Sequence, residues 1–465
     1  MVRNGVAPDH PEVKNVQNDF DTLFNPDVNN HAAVQFYGNV TVGRDISLQD
    51  LRQQYDVVVL AFGCESDRRL SILDDQTSDG LQGILTAREF VNWYNGHPEY
   101  EWVGETVKQA LDTKHKKDTD STSIIVIGNG NVALDCARIL AKTSQDELDS
   151  TDIATRALEV LCQDSSSSTV RNISVIGRRG HVQSAFTIKE VRELTKLPNS
   201  TFHVQRDELD AGMDDSVSQT VLKQSRPKQR IDKLLRDHAI AEEEHQQQLG
   251  KNNSSEVHLR FLWNPVKFQQ SSAQSNRLGS VVFERTNLVE DSDNNDVIAQ
   301  GTGEFQEFPA DLCLISIGYK GIPIEGTEDF YDPQKGVLKN VHGRVDVPNS
   351  DDTTLAPLYV SGWLKRGPTG IIGTNIPDAK DTVASILQDL NEKSKHSSPK
   401  EEQHHDSLSL KAILQEHGVQ VVDWDAYQRI NQVETSEQHK RHPDQPREKL
   451  TQWDDLLNAA AVTTK

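Results

Sequence analysis

A chain of 465 residues is long enough for several domains with substantial cores, although only 35% of the residues are hydrophobic. With 49 Lys and Arg against 71 Asp and Glu, the formal net charge of −22 excludes a general attraction to nucleic acid or anionic lipid, so an anionic partner must meet a local basic patch. The four cysteines (Cys64, Cys136, Cys162, Cys313) form no C-x-x-C pair or Cys/His cluster, which argues for reduced structural thiols. No apolar run of about 18 residues predicts a transmembrane segment.

After a mixed polar opening, VQFYGNVTVGRD at 34–45 alternates apolar and polar residues and predicts a short strand. YDVVVLAFG at Tyr55–Gly63 has six consecutive apolar residues, three of them Val, ending on Gly; this predicts a parallel strand buried on both faces. In TAREFVNWYNG, Thr86 and Glu89 fit a capping box and Gly96 a stop, predicting a helix. Ile124–Ile127 then run into glycines and a helix whose Val132, Ala133, Cys136, Ile139 and Leu140 share one face. A further helix over Asp152–Gln163 and a strand at VRNISVIGRRG continue an α/β progression.

From Asp207 to Ser255 the composition turns to Gln, Asp, Glu, Lys and Ser. A partly ordered excursion is expected there, with one helical stretch around QRIDKLLRDHAIAEEEHQQQ. VHLRFLWN, GSVVFERTNL, Phe305–Phe308 and ADLCLISIGY predict a β-rich meander. PLYVSGW predicts a buried strand leading through a glycine-bearing turn into a long helix. A charged low-complexity stretch at Asn391–Asp406 and two weak helices follow.

Several groups of residues point to chemistry. In Gly128-Asn129-Gly130-Asn131-Val-Ala133, glycines between a strand and a helix permit a tight turn and close approach of a pyrophosphate to the helix N-terminus; turns of this kind without a ligand also occur. The next strand ends Gly177-Arg178-Arg179-Gly180. An NAD-specific fold would place an acid here for the ribose hydroxyl, whereas two guanidiniums favour a 2′-phosphate and so NADP; a solvated arginine pair is the plain alternative. Arg178 lies 50 residues after Gly128, beyond the usual ~20, an excess the helix at Asp152–Gln163 can absorb.

Thr187 and Glu190 have capping-box spacing, so Glu190 serves either a helix N-terminus or the cofactor. Trp363 and the Gly-Pro-Thr-Gly370-Ile371-Ile372 turn sit between a strand and a helix, suited to an aromatic cofactor or to an ordinary core turn. His10 between prolines suits a turn or a proton relay. Arg226, Lys228, Arg230, Lys233 and Arg236 make a basic cluster on an acidic protein, either a solvated helix face or a dock for an acidic protein.

Taken in order, GVAPDHPEVKNV (Gly5–Val16), GNVTVGRD (Gly38–Asp45), GNGNVALDCARIL (Gly128–Leu140), IGRRG, AFTIKEVREL (Ala185–Leu194), SIGYK, GWLKRGPTGIIGT and PREKL (Pro446–Leu450) resemble the mitochondrial NADPH:adrenodoxin (ferredoxin) oxidoreductase family across nearly the whole chain. The resemblance implies an α/β fold with two Rossmann-like dinucleotide-binding domains of the glutathione-reductase-like type. The FAD domain would be split (1–103 and 325–465) around an NADP domain (104–324). It implies FAD and NADP as cofactors, an acidic adrenodoxin-like [2Fe–2S] ferredoxin as partner, and a mitochondrial matrix location with peripheral inner-membrane association.

Carried over by position, Gly128, Asn129, Gly130 and Asn131 would hold the NADP pyrophosphate, Arg178 and Arg179 the 2′-phosphate, and Glu190 the same nucleotide. Trp363, Gly370, Ile371 and Ile372 would contact the flavin, and Val42 the FAD adenine through its backbone. His10 and Asp135 match catalytic positions near the flavin and the ferredoxin-facing region, and Arg192, Arg226 and Arg230 match ferredoxin-docking residues. Family members open with an FAD-binding strand, a GxGxxG turn and a helix upstream of VRNGVAPDHP. An N-terminally truncated FAD domain is therefore expected, with an NADP-binding remnant lacking flavin and catalysis as the alternative to an enzyme. A glutamate-synthase-type electron-input subunit of the same fold would call for N-terminal iron–sulfur cysteines, and this sequence has none.

Overall fold

In the computed structural model, the described residues are 7–8, 20–24, 34–74, 80–112, 121–162, 170–241, 254–291, 296–347, 355–370, 372–396 and 410–461; His10, Ile371 and the side chain of Ile372 lie outside them. The chain forms two compact units, one of Met1–Leu23, Arg69–Ile317 and Arg429–Lys465, the other of Phe24–Arg68 and Gly318–Gln428. These divisions differ from 1–103, 104–324 and 325–465 for physical reasons. The strand Ile84–Thr86 pairs in parallel with Leu312–Ile315, which draws 69–103 into the first unit.

The C-terminal segment joins the same unit through the PREKL block. Arg447 meets the buried carboxylate of Glu434 at 3.1 Å, Glu448 accepts the Thr155 hydroxyl at 2.8 Å, and Lys449 reaches Asn95 at 3.0 Å and Asp152 at 3.2 Å.

The first unit is built on a seven-stranded parallel sheet. Its order is Ile84–Thr86, Leu312–Ile315, Ser121–Ile127, Val170–Ile176, Ser255–Arg260, Ser200–Gln205, Ala239–Ile240. Alternation along Ser121–Ile127 decides what covers each face. Ile124 and Val126 pack with Ala133, Cys136, Ala137 and Leu140 of the helix Asn131–Ala141. Ile125 and Ile127 pack with Trp263, Phe268, Phe283 and Phe308 of a three-stranded antiparallel sheet, Trp263–Gln270, Leu278–Asp291 and Asp296–Pro309.

The expected meander is thus real for three strands, while VHLRFLWN and ADLCLISIGY supply Ser255–Arg260 and Leu312–Ile315 to the parallel sheet. Thr86 and Glu89 form the expected capping box for Ala87–Tyr94. The predicted helix at Asp152–Gln163 is the shorter Thr155–Leu161.

Three features differ from the sequence reading. The polar region after Asp207 is helical over Arg206–Ala211, Ser216–Gln224 and Arg226–Asp237, because Asp215 caps Ser218 N–H at 2.6 Å and Ile231 and Leu235 are buried. Segment 34–45 carries isolated bridges and no strand: Thr41 N–H donates to Asp45 at 2.7 Å and Arg44 pairs with the same carboxylate, curling the chain. These bonds, Arg44 first, hold Asp45 at a pKa of about 2. In the second unit Val58–Leu60 does pair in parallel with the buried Leu358–Val360, but Val59 is 43% exposed, so only Val58 and Leu60 face the core.

The long helix Asn375–His396 packs on this smaller sheet through Asp389, which accepts from Arg344 Nε at 2.8 Å and Tyr359 Oη at 2.6 Å.

Candidate functional site

The strand Ser121–Ile127 lies between Leu312–Ile315 and Val170–Ile176, the place in an open parallel sheet where ligands meet strand C-termini. Gly128 leaves it with φ 130°, and a Cβ there would collide with the Ser316 carbonyl, so only glycine fits. Gly130 is the N-cap of the 11-residue helix Asn131–Ala141 and supplies no capping side chain. A Cβ added to it would meet nothing within 4 Å beyond its chain neighbours, so there is room beside this uncapped helix start. Asn129 Oδ1 is buried without a hydrogen-bond partner among the described residues. An uncapped helix start with a spare polar group and room above it fits a dinucleotide pyrophosphate.

The arginine turn is joined to this one. Gly128 N–H donates to Ile176 O at 2.8 Å, and the Asn129 amide packs where a side chain on Gly177 would stand. Arg178 is exposed and Arg179 partly so, with Asp296 3.4 Å from Arg179. Thr286 Oγ1 donates to the Arg178 carbonyl at 2.7 Å and fixes the turn from behind. Deeper still, the fully buried Glu208 accepts from Phe261 N–H and Trp263 Nε1, each at 2.7 Å, and from Arg260 Nε at 2.8 Å.

Beyond the turn, Ala185 N–H returns to Asn129 O at 2.9 Å and Thr187 N–H to Asn131 Oδ1 at 2.9 Å. The Thr187–Glu190 pair differs from a capping box: the Thr187 hydroxyl donates to the Glu190 carboxylate, and Thr187 makes no side-chain cap bond. Asp135 pairs with the buried Arg138 at 2.7 Å, and Arg138 also lies 3.5 Å from Glu193.

Arg192 is exposed on Ile188–Leu194, which packs against Arg226–Asp237. On the latter helix Arg226, Arg230 and Lys233 make an exposed stripe, so the structure brings the three expected docking arginines onto adjoining helices. The inner face carries two residues whose part in this arrangement sequence reading missed. Asp232 Oδ1 lies 2.9 Å from the buried His181 Nε2, and Lys228 Nζ donates to Ser184 O at 2.5 Å. The signal for Lys228 is its half-turn offset from the exposed stripe.

In the second unit, Trp363 opens the short helix Trp363–Arg366, and its ring stacks on Tyr319 with centroids 5.7 Å apart and planes at 21°. The turn after it is fixed by Arg366, which reaches Thr369 O, Thr374 Oγ1 at 2.9 Å and Asn375 Oδ1 at 2.8 Å. Gly370 has φ 86°. Val42 sits in the turn closed by Gly43 N–H to Ile46 O at 2.7 Å. Burial lifts the Cys64 and Cys162 thiols to about 11 and leaves both poor nucleophiles.

The chain is 40% identical over 463 residues to the mitochondrial NADPH:adrenodoxin oxidoreductase of Arabidopsis thaliana, covering 99% of this chain and 87% of the relative. It is 36% identical over 463 residues to the human protein of that name, covering 98% and 84%. A solved structure of Mycobacterium tuberculosis FprA in complex with NADPH matches with a TM-score of 0.80 and 34% identity, over 99% of this chain and 89% of that one. No protein-family profile matches the chain. The chain belongs to the NADPH:adrenodoxin oxidoreductase family, and is an oxidoreductase with the family's α/β fold.

Proposed function

We propose that this protein is a flavoprotein that takes electrons from NADPH and delivers them to an acidic, adrenodoxin-like [2Fe–2S] ferredoxin on the matrix side of the mitochondrial inner membrane. The observation that carries the reading is the junction of the two turns: Gly128 hydrogen-bonds Ile176 O at 2.8 Å and Asn129 packs on Gly177. An uncapped helix N-terminus and an arginine pair thus stand at the ends of adjacent strands, as the pyrophosphate and 2′-phosphate of one nucleotide require. The names of the relatives support NADPH as donor and ferredoxin as acceptor.

In this reading Gly128, Asn129, Gly130 and Asn131 bind the pyrophosphate, Arg178 and Arg179 bind the 2′-phosphate, and Glu190 orients the same nucleotide. FAD, when bound, converts paired electrons from NADPH into single ones for the ferredoxin. Trp363, Gly370, Ile371 and Ile372 hold the ring system and Val42 the adenine. His10 and Asp135 serve the flavin and ferredoxin-facing positions, and Arg192, Arg226 and Arg230 receive the acidic partner. The resemblance assigns 104–324 to NADP and 1–103 with 325–465 to FAD, although 69–103 and 429–465 pack in the same compact unit as most of the NADP segment.

The test is steady-state ferredoxin reduction by Arg178→Ala/Arg179→Ala with each nucleotide, together with the visible spectrum of the purified protein. The NADPH reaction should lose at least about 100-fold in kcat/KM with the NADH reaction unchanged, as the loss of charge-assisted bonds predicts. Equal losses for both nucleotides would contradict the 2′-phosphate role, and a colourless protein that still binds NADPH would contradict the flavin.

A further inference from the structure

We infer that Lys228 is a third cation of the 2′-phosphate site, acting beside Arg178 and Arg179. This inference rests on the assignment of that turn to NADP. Lys228 belongs to the helix Arg226–Asp237, yet it is half-buried while Arg226, Arg230 and Lys233 are exposed, so it points toward the body of the unit.

Its ammonium donates to the Ser184 carbonyl at 2.5 Å. Ser184 closes the segment that leaves the arginine turn, and the next residue, Ala185, hydrogen-bonds Asn129 O at 2.9 Å in the glycine turn. Lys228 therefore stands where the path from one phosphate site to the other is anchored.

Its charge there needs an explanation. Burial, and then the neighbouring Arg179 guanidinium, push the Lys228 pKa below its ordinary value, so the two cations are close enough to repel. No carboxylate among the described residues pairs with Lys228. Asp232, one helical turn further on, is committed to His181 at 2.9 Å and to Arg236 at 2.9 Å, and Asp296 sits at 3.4 Å from Arg179.

Asp296 offsets the charge of Arg179 in part, but Lys228 has no carboxylate of its own among the described residues, and a phosphate monoester carrying about −2 would relieve the remaining repulsion. Such a group has three terminal oxygens to share among two guanidiniums and an ammonium. The Ser184 carbonyl uses one of the three ammonium donors and leaves two for phosphate.

The competing explanation is that Lys228 merely pins its helix. The experiment is calorimetric titration of the full-length protein with 2′,5′-ADP and with 5′-ADP. It compares wild type, Lys228→Gln, Lys228→Arg and Arg178→Ala/Arg179→Ala, with thermal melts as a folding control. Lys228→Gln keeps a donor for Ser184 O and loses the charge, so it should weaken 2′,5′-ADP about tenfold and leave 5′-ADP unchanged, while Lys228→Arg stays near wild type.

Equal weakening of both ligands, no change in Lys228→Gln, or a Lys228→Arg loss as large as that of Lys228→Gln would each overturn the inference while leaving the arginine assignment intact. Should Arg178→Ala/Arg179→Ala keep the wild-type preference for 2′,5′-ADP, the nucleotide reading itself would fall, and the role of Lys228 with it.

Discussion

His181 Nε2 stands 2.9 Å from Asp232 Oδ1, which ties the residue after the arginine turn to the middle of the helix Arg226–Asp237. His181 is 1% exposed, so the contact lies beneath the surface stripe of Arg226 and Arg230 and beside the path of the nucleotide-binding turns. The helix that carries the expected ferredoxin contacts is thereby held by the same segment that carries the expected NADP contacts.

That tie has a pH dependence of definite sign. Burial raises the Asp232 carboxyl, but the His181 hydrogen bond and the Arg236 guanidinium outweigh it and leave the pKa below the ordinary value. A group whose folded pKa is depressed contributes stability above its unfolded pKa and loses it as pH falls through the folded one. The attachment of Arg226–Asp237 should therefore hold from neutrality to about pH 4 and loosen below it. Hydrogen-exchange protection of this helix, corrected for intrinsic rates, should drop in that acid range in the wild type and show no such step in Asp232→Asn. A step of equal size in Asp232→Asn would assign the transition to another group.

Gly177→Ala isolates the contact between the two phosphate turns. The added methyl would occupy the space of the Asn129 amide, and the backbone at 177 is not in the left-handed region, so the effect is steric. Overpacking of this kind costs about 1–3 kcal/mol, and here it displaces a residue of the pyrophosphate turn, so NADPH affinity should fall about tenfold. The double variant Gly177→Ala/Asn129→Ala removes the obstacle and should recover most of the loss measured against Asn129→Ala alone. Additive losses in that cycle would mean the two residues do not communicate.

Local patterning accounts for much of what the sequence made legible. The four-residue apolar run Ile124–Ile127 ending in glycines could hardly be other than a buried strand entering a helix, and Thr86 with Glu89 specified the cap of a separate helix, Ala87–Tyr94. The polar stretch after Asp207 was misleading because its helices bury only a few positions each. Ile231 and Leu235 on one face of a strongly charged helix are a weak signal, although a sufficient one once Asp215 starts the preceding helix. The strand expected at 34–45 failed for the opposite reason: alternation was present, but the local bonds of Asp45 to Thr41 and Arg44 compete successfully with pairing. Lys228 shared a charge with its neighbours in the cluster, and only its placement on the inner face distinguishes it.

The exposed stripe on the same helix gives the sharpest contrast with its inner face. Arg226 and Arg230 are one turn apart, both exposed, with Arg192 on the adjoining helix, and they form a basic patch on a chain of net charge −22. Charges at the rim of an interface mainly steer encounter and act over about a Debye length, ~8 Å at physiological salt. Arg226→Glu/Arg230→Glu should therefore raise the KM for an acidic ferredoxin at least about tenfold at low ionic strength and leave kcat nearly unchanged. The defect should shrink as salt is added, because the wild-type attraction is screened along with the mutant repulsion. Reduction of a small neutral dye by NADPH should match the wild type throughout, since a neutral dye has no charge for the stripe to steer. If dye reduction falls in step with ferredoxin reduction, or if the ferredoxin KM is indifferent to salt in both proteins, the stripe is a solvated helix face and the partner docks elsewhere.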